Sequence, residues 1–258
     1  MSPVPPTAVS ALRARTGVPI LACKEALEEA QGNEEKAIEI LRRRGIAQAV
    51  KKSAREQHDG AVFLTESGSK AALVLLKCET DFVACADAFR TLGRKLALAL
   101  LTDGTAKAKA LADQEIPASV QQLGENISVV EALTVEAPVL GTYVHSNSKI
   151  GVIIGLDSGT KEQAHDVAMH AAAMNPLYVR PEDVPPEAIE KEKEIWREQL
   201  KKEGKPETIW DKIMLGKEKK FREENALAKQ PFVKDSAKTV EQYLGSAKIT
   251  AYSRLSIS

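Results

Sequence analysis

Apolar residues between positions 7 and 45 recur at helical spacing and are interrupted at Gly17 and Gly32, which predicts three short helices. The first covers residues 7–15. Pro19 suits the first turn of the second, where its missing N–H costs nothing. Leu21, Ala22, Ala26, Leu27 and Ala30 form the inner face of that helix, and Gly32 is its left-handed cap. Asn33 caps the third helix, which turns Ala37, Ile38, Ile40 and Leu41 inward and stops before Gly45. So small a module is marginal alone and suits docking better than a catalytic chamber.

From Gly60 the hydrophobic period falls to two. Residues 61–66 and 70–80 read as a hairpin around Ser67-Gly68-Ser69, with an apolar second strand fit for burial. Asp81-Phe82-Val83 follows, then a helix over 84–101, another over 118–124, and an extended segment over 127–135. The order then recurs. Residues 139–145, the Ser146-Asn147-Ser148 turn and residues 149–156 form a second hairpin, followed by a helix over 161–174 that Asn175-Pro176 closes. This repetition predicts two related α/β halves with antiparallel sheets.

Residues 187–224 carry 11 acidic and 11 basic side chains, so the segment is heavily solvated yet balanced. Ile189, Trp196 and Leu200 share one stripe; Trp210, Met214 and Phe221 share another, with Ile213 beside it, and Gly204-Lys205-Pro206 separates them. An antiparallel helical hairpin with a narrow apolar seam is expected, each arm reaching roughly 25 Å. A short helix over 236–244 and a strand over 248–257 return the chain to the body. The fold class is therefore α+β, divided as 1–55 (helical module and basic linker), 56–138 (first core half), 139–186 with 225–258 (second core half) and 187–224 (protruding hairpin).

Composition narrows the function. In 258 residues, 36 basic and 36 acidic side chains cancel, which argues against the strong positive field that direct nucleic-acid binding uses. Residues 42–55 hold six basic and no acidic side chains, either a helical tether or a steering patch for an acidic partner. Three cysteines suit a reducing compartment, no apolar run approaches the ~20 residues of a membrane span, and the N-terminus lacks a targeting layout. A cytoplasmic protein without membrane association is expected.

Catalytic constellations are missing from the pattern. No Gly-x-Gly occurs, so neither a dinucleotide fingerprint nor a P-loop is present and no cofactor is expected. His165 and His170 are five apart and cannot share a metal as an i,i+4 pair can; Cys78 and Cys85 have poor zinc spacing, so no metal site is expected. Cys85, near a helix start, reads as an activated thiol or as a small buried hydrophobe. His145 reads as a surface turn residue or a contact. In Glu79-Thr80-Asp81-Phe82-Val83, either Phe82 closes the local core while Asp81 caps a helix, or a rigidly held Phe forms a wedge for a partner's pocket.

Several separated motifs resemble the bacterial translation elongation factor Ts family over essentially the whole chain: Arg13-Ala14-Arg15-Thr16-Gly17 with Cys23-Lys24, Glu79-Thr80-Asp81-Phe82-Val83, Gly124-Glu125-Asn126-Ile127, Ala168-Met169-His170-Ala171-Ala172, and Gln230-Pro231-Phe232-Val233. The resemblance implies a guanine-nucleotide exchange factor for the GTPase elongation factor Tu, not an enzyme. It implies a ubiquitin-associated-like three-helix N-terminal module, two core subdomains and a coiled hairpin of the dimerisation type, facing a second copy or the GTPase. By the same resemblance Thr80, Asp81, Phe82 and Val83 dislodge Mg²⁺ from the GTPase, with Phe82 as the wedge, and Lys24, His145, Val233 and Lys234 are further partner contacts. Ala22, Glu25 and Cys85 depart from the family pattern and change the local electrostatics. Two other classes compete: an adaptor that binds without exchange, and an enzyme with Cys85 as nucleophile.

Overall fold

The computed structural model describes residues 4–257, which form two compact units: 4–134 with 144–151 and 255–257, and 135–143 with 152–254. In the first unit α1 (Pro6–Thr16), α2 (Ile20–Glu29) and α3 (Glu34–Lys52) close around Leu12, Cys23, Ala26, Leu27, Ala37 and Leu41. Gly17 ends α1 at φ 66°, its N–H donating to Arg13 O, and the Asn33 side chain accepts from Lys36 N at the start of α3.

The third helix does not stop at Gly45. It continues to Lys52 because Gly45 serves close packing and not a cap: a Cβ there would stand 2.9 Å from the backbone oxygen of Pro117, in the helix over Thr105–Leu123. The basic stretch is consequently helical through Lys52. Arg44 pairs with Glu25 (3.2 Å) and Glu29 (2.7 Å), and Arg43 with Glu39 (2.5 Å), so part of its charge is answered inside the module.

Strands β1 (Asp59–Ser67) and β2 (Lys70–Cys78) form an antiparallel hairpin, with Ser67 opposite Lys70 and Gly68 turning at φ 60°. β2 is buried along nearly its whole length because it is the middle strand of a sheet ordered β1-β2-β3, where β3 is Ser128–Glu136. The helix expected over 84–101 is instead two: α4 (Asp81–Cys85) and α5 (Asp87–Asp103), separated by Ala86 in extended conformation. Nothing in the local residue types marks that break. α6 (Thr105–Leu123) is far longer than the 118–124 segment expected, since packing against α5 and α3 overrides the interior Pro117. Phe63, Phe89, Leu92, Leu96 and Leu100 fill the core beneath these helices, and the Phe63 ring lies where a Cβ on Gly93 would be.

The second hairpin is β4 (Val139–Val144) and β5 (Ile150–Leu156); β5 is the buried middle strand of a sheet ordered β4-β5-β8, with β8 at Ile249–Ser256. Thus both hairpins contribute their apolar second strand to the centre of a three-stranded sheet. α7 (Lys161–Met174) opens with a Thr160/Gln163 capping box and closes at Asn175, φ 48°. It packs so tightly on β4 that a Cβ at Gly141 would overlap the Ala164 backbone.

The charged segment forms α8 (Pro186–Lys202) and α9 (Trp210–Asn225), with Trp196, Leu200 and Met214 buried together and Trp210, Ile213 and Phe221 beside them. Ile189 is buried outside that cluster, and Arg222 donates to the Pro181 and Val184 carbonyls at 3.1 Å each, anchoring the base of the hairpin. The expected helix over 236–244 is strand β7 (Asp235–Thr239), paired with β6 (Pro231–Phe232), followed by the single turn α10 (Val240–Leu244). Among the described residues no helix is long and apolar enough to cross a membrane, and no cluster of three or more metal-ligating side chains occurs.

A candidate partner-binding site

The segment between β2 and α5 is built to expose one ring. Thr80, not Asp81, caps α4: its backbone is extended and its hydroxyl oxygen accepts from Val83 N at 3.4 Å. Asp81 is the first helical residue, where a carboxylate complements the positive helix end. A single turn then buries Val83 (8% exposed) and Ala84 (6%) in the core and leaves Phe82 84% exposed. Phe82 therefore does not close the local core. Cys85 is exposed too, contrary to the buried reading, whereas Cys78 is enclosed and burial pushes its thiol up to about 12.

Two carboxylates lace this segment to the residues after α6. Glu125 Oε2 accepts from the backbone N–H groups of Glu79 and Thr80, both at 3.0 Å, and Glu125 Oε1 accepts from the Thr80 hydroxyl at 2.6 Å. Reciprocally, Glu79 Oε1 accepts from Asn126 N at 2.7 Å and faces Arg55 Nη1 at 3.4 Å. The buried Asn126 side chain donates onward to Arg55 O (2.9 Å) and Ser53 O (3.4 Å), just beyond α3. Gly124, at φ 81°, ends α6 and turns the chain so that Glu125 can reach back. In the sequence Glu125 stood out only as part of a family-like motif. Its contacts join positions some 45 residues apart, which no local pattern signals.

The turn of the second hairpin lies against the same unit. Ser148 O accepts from Val62 N at 2.8 Å, and Lys149 Nζ meets Asp59 Oδ2 at 2.9 Å. Burial acts to raise the Asp59 carboxyl, but the Lys149 ammonium and the Gly60 N–H outweigh it and hold the group below its usual range. Lys149 is raised chiefly by its hydrogen bond to Asp59, with the charge of Asp81 adding to the effect. Sequence reasoning missed Lys149. His145 is exposed in this turn, its N–H donating to Ile150 O at 2.9 Å. Lys24 is exposed on α2 and faces Glu28 at 3.7 Å; Ile20 and Leu21 beside it are 53% and 64% exposed, so Leu21 faces outward and not, as its spacing suggested, into the module.

Val233 and Lys234 form the β6–β7 turn of the second unit. Val233 N donates to His170 Nδ1 (3.2 Å), and His170 Nε2 lies 3.0 Å from Gln230 Oε1, so two of the separated sequence motifs meet at one buried imidazole. Burial lowers the His170 pKa. Lys234 Nζ bonds Asp166 Oδ1 at 2.6 Å, and Tyr243 donates to Asp166 Oδ2 at 2.9 Å. Burial would raise Asp166, yet these two partners hold it low. The Phe232 and Tyr243 rings stack at 4.2 Å, leaving Val233 51% exposed at the tip.

The family model described as "Elongation factor TS" matches residues 79–258. The chain is 40% identical over 256 residues to the elongation factor Ts of Hydrogenobaculum sp., covering 94% of this chain and 93% of the relative. It is likewise 40% identical over 258 residues to that of Deinococcus radiodurans, covering 96% and 98%. A translation elongation factor of the nucleotide-exchange class is thereby defined. The chain belongs to the elongation factor Ts family.

Proposed function

We propose that this protein binds elongation factor Tu in its GDP-bound form and promotes GDP release by disturbing the Mg²⁺/phosphate site, so that GTP can reload during elongation. Phe82 is the inserting wedge, with Asp81 beside it; Thr80 and Val83 hold the turn that presents them. The observation that carries this reading is a phenylalanine 84% exposed on a helical turn whose next two residues are buried. A large apolar side chain held outward on a rigid support is the usual anatomy of a binding anchor.

A GTPase holds GDP partly through Mg²⁺ bridging phosphate and protein, so displacing that ion's surroundings weakens the nucleotide without any covalent step by the factor. Coupling is reciprocal: if the factor weakens GDP, GDP weakens the factor equally in the ternary complex. A weakening of ~10⁴-fold requires about 5.5 kcal/mol of differential interaction, more than the ~2–4 kcal/mol of one hot-spot ring. Lys24, His145, Val233 and Lys234 therefore share the grip. The exposed Ile195 and Leu215 of the helical hairpin favour its use as a further contact surface, toward a second copy or the GTPase. Stopped-flow release of a fluorescent GDP analogue from elongation factor Tu tests the proposal. Acceleration by this protein is expected, and a stoichiometric complex without acceleration would leave only an adaptor.

A further inference from the structure

We infer that Glu125 is a positioning residue that aims Phe82, and that it does so through the three hydrogen bonds its carboxylate accepts from Glu79 N, Thr80 N and Thr80 Oγ1. The inference rests on the wedge reading of Phe82 and adds to it a residue that touches neither the ring nor, in this role, the partner. The physical reason lies in how little else holds the turn. α4 is five residues long, too short to be stable by its own helical bonds. Its outward side chains, Asp81 and Phe82, are exposed and contribute no packing. Val83 and Ala84 are buried on one side of Phe82. On the other side the Glu125 carboxylate takes three donors from Glu79 and Thr80, beside the Cys78 thiol that donates to Thr80 O at 3.2 Å and the Glu79 carboxylate held by Asn126 N.

The three donors fix both the peptide planes entering the helix and the rotamer of its cap. The Thr80 hydroxyl gives its proton to Glu125, so its oxygen lone pairs are turned toward Val83 N. Glu125 thus decides whether Thr80 can cap α4, and the cap sets the direction in which the next two side chains leave the backbone. Asn126, adjacent to Glu125, carries the same lacing to the Ser53 and Arg55 carbonyls in the turn that follows α3, so the entry to the wedge is tied to that turn. Glutamine at 125 retains a carbonyl oxygen for the two N–H groups and an amide that can donate to Thr80 Oγ1. Alanine removes every partner.

The test compares four full-length variants, Glu125→Ala, Glu125→Gln, Phe82→Ala and the Glu125→Ala/Phe82→Ala double, in the release of a fluorescent GDP analogue from elongation factor Tu. The rate at saturating factor and the half-saturating concentration are read separately. A residue that acts only by aiming Phe82 can cost no more than the loss of that ring, so Glu125→Ala is expected to lower the saturating rate by about tenfold and by no more than Phe82→Ala does. The half-saturating concentration should move by less than about threefold, because the other contact regions are untouched, and Glu125→Gln should recover most of the rate. The double variant should match Phe82→Ala, since a residue acting only by aiming a ring has nothing left to aim. A further loss in the double variant, or an unchanged rate in Glu125→Ala while Phe82→Ala is impaired, overturns the positioning role. A normal rate in Phe82→Ala itself overturns the wedge reading instead.

Discussion

Replacing Phe82 by alanine separates a wedge from a structural ring. In the free protein the side chain is 84% exposed and absent from the core around Phe63, Phe89 and Leu96, so its removal should shift stability by no more than about 0.5 kcal/mol. Burying a phenylalanine side chain completely is worth about 1.5–3 kcal/mol. If the partner covers what is exposed here, 84% of that range, about 1.3–2.5 kcal/mol, is lost on truncation. The GDP-release rate in the presence of this protein should therefore fall by between about tenfold and about seventyfold. Thermal unfolding followed by circular dichroism supplies the control, and stopped-flow fluorescence the measurement. Unchanged GDP release with an unchanged melting temperature would refute the reasoning, because the ring would then be exposed for no purpose in exchange. A fall in melting temperature of several degrees would show that Phe82 supports the fold.

Four other outcomes are expected. Gly45→Ala gains about 1 kcal/mol of helix propensity but sets a methyl 2.9 Å from the Pro117 oxygen, so overpacking of about 1–3 kcal/mol should dominate; a raised melting temperature would contradict the close-packing account. Replacing residues 191–220 by a short turn should leave the remaining chain folded, whereas removing 187–224 also takes away Ile189 and both Arg222 hydrogen bonds and should lower the melting temperature further. His170 is held neutral by burial, so its folded pKa lies below the unfolded value: stability is complete above about pH 6.5 and declines as pH falls toward the folded pKa, and His170→Gln should flatten that part of a melting-temperature profile. A soluble thiol reagent should modify Cys85 in the native protein and spare Cys23 and Cys78, and Cys85→Ala should retain exchange; its inactivity would revive the nucleophile reading.

Local chemistry was enough to read the three N-terminal helices, both hairpins and α7, because caps, turns and hydrophobic period act over a few residues. Gly17, Asn33, Gly68 and Asn175 each mark a boundary where the structure has one. Long-range packing decided the rest. Gly45 looks like a helix end until Pro117 is seen against it, and Pro117 looks like a breaker until α3 and α5 are seen holding its helix. The outward aim of Phe82 depends on Glu125, some 45 residues away, and the Val233 turn depends on His170, some 63 residues before it. A single sequence therefore determined most of the alternation of helix and strand and the motifs of its family, but not the break at Ala86, the length of α6 or strand β7. Only the folded chain decided which face of 81–85 meets solvent, because the hydrogen bonds that Glu125 accepts and the burial of Val83 and Ala84 together set that turn, on terms no neighbouring residue supplies.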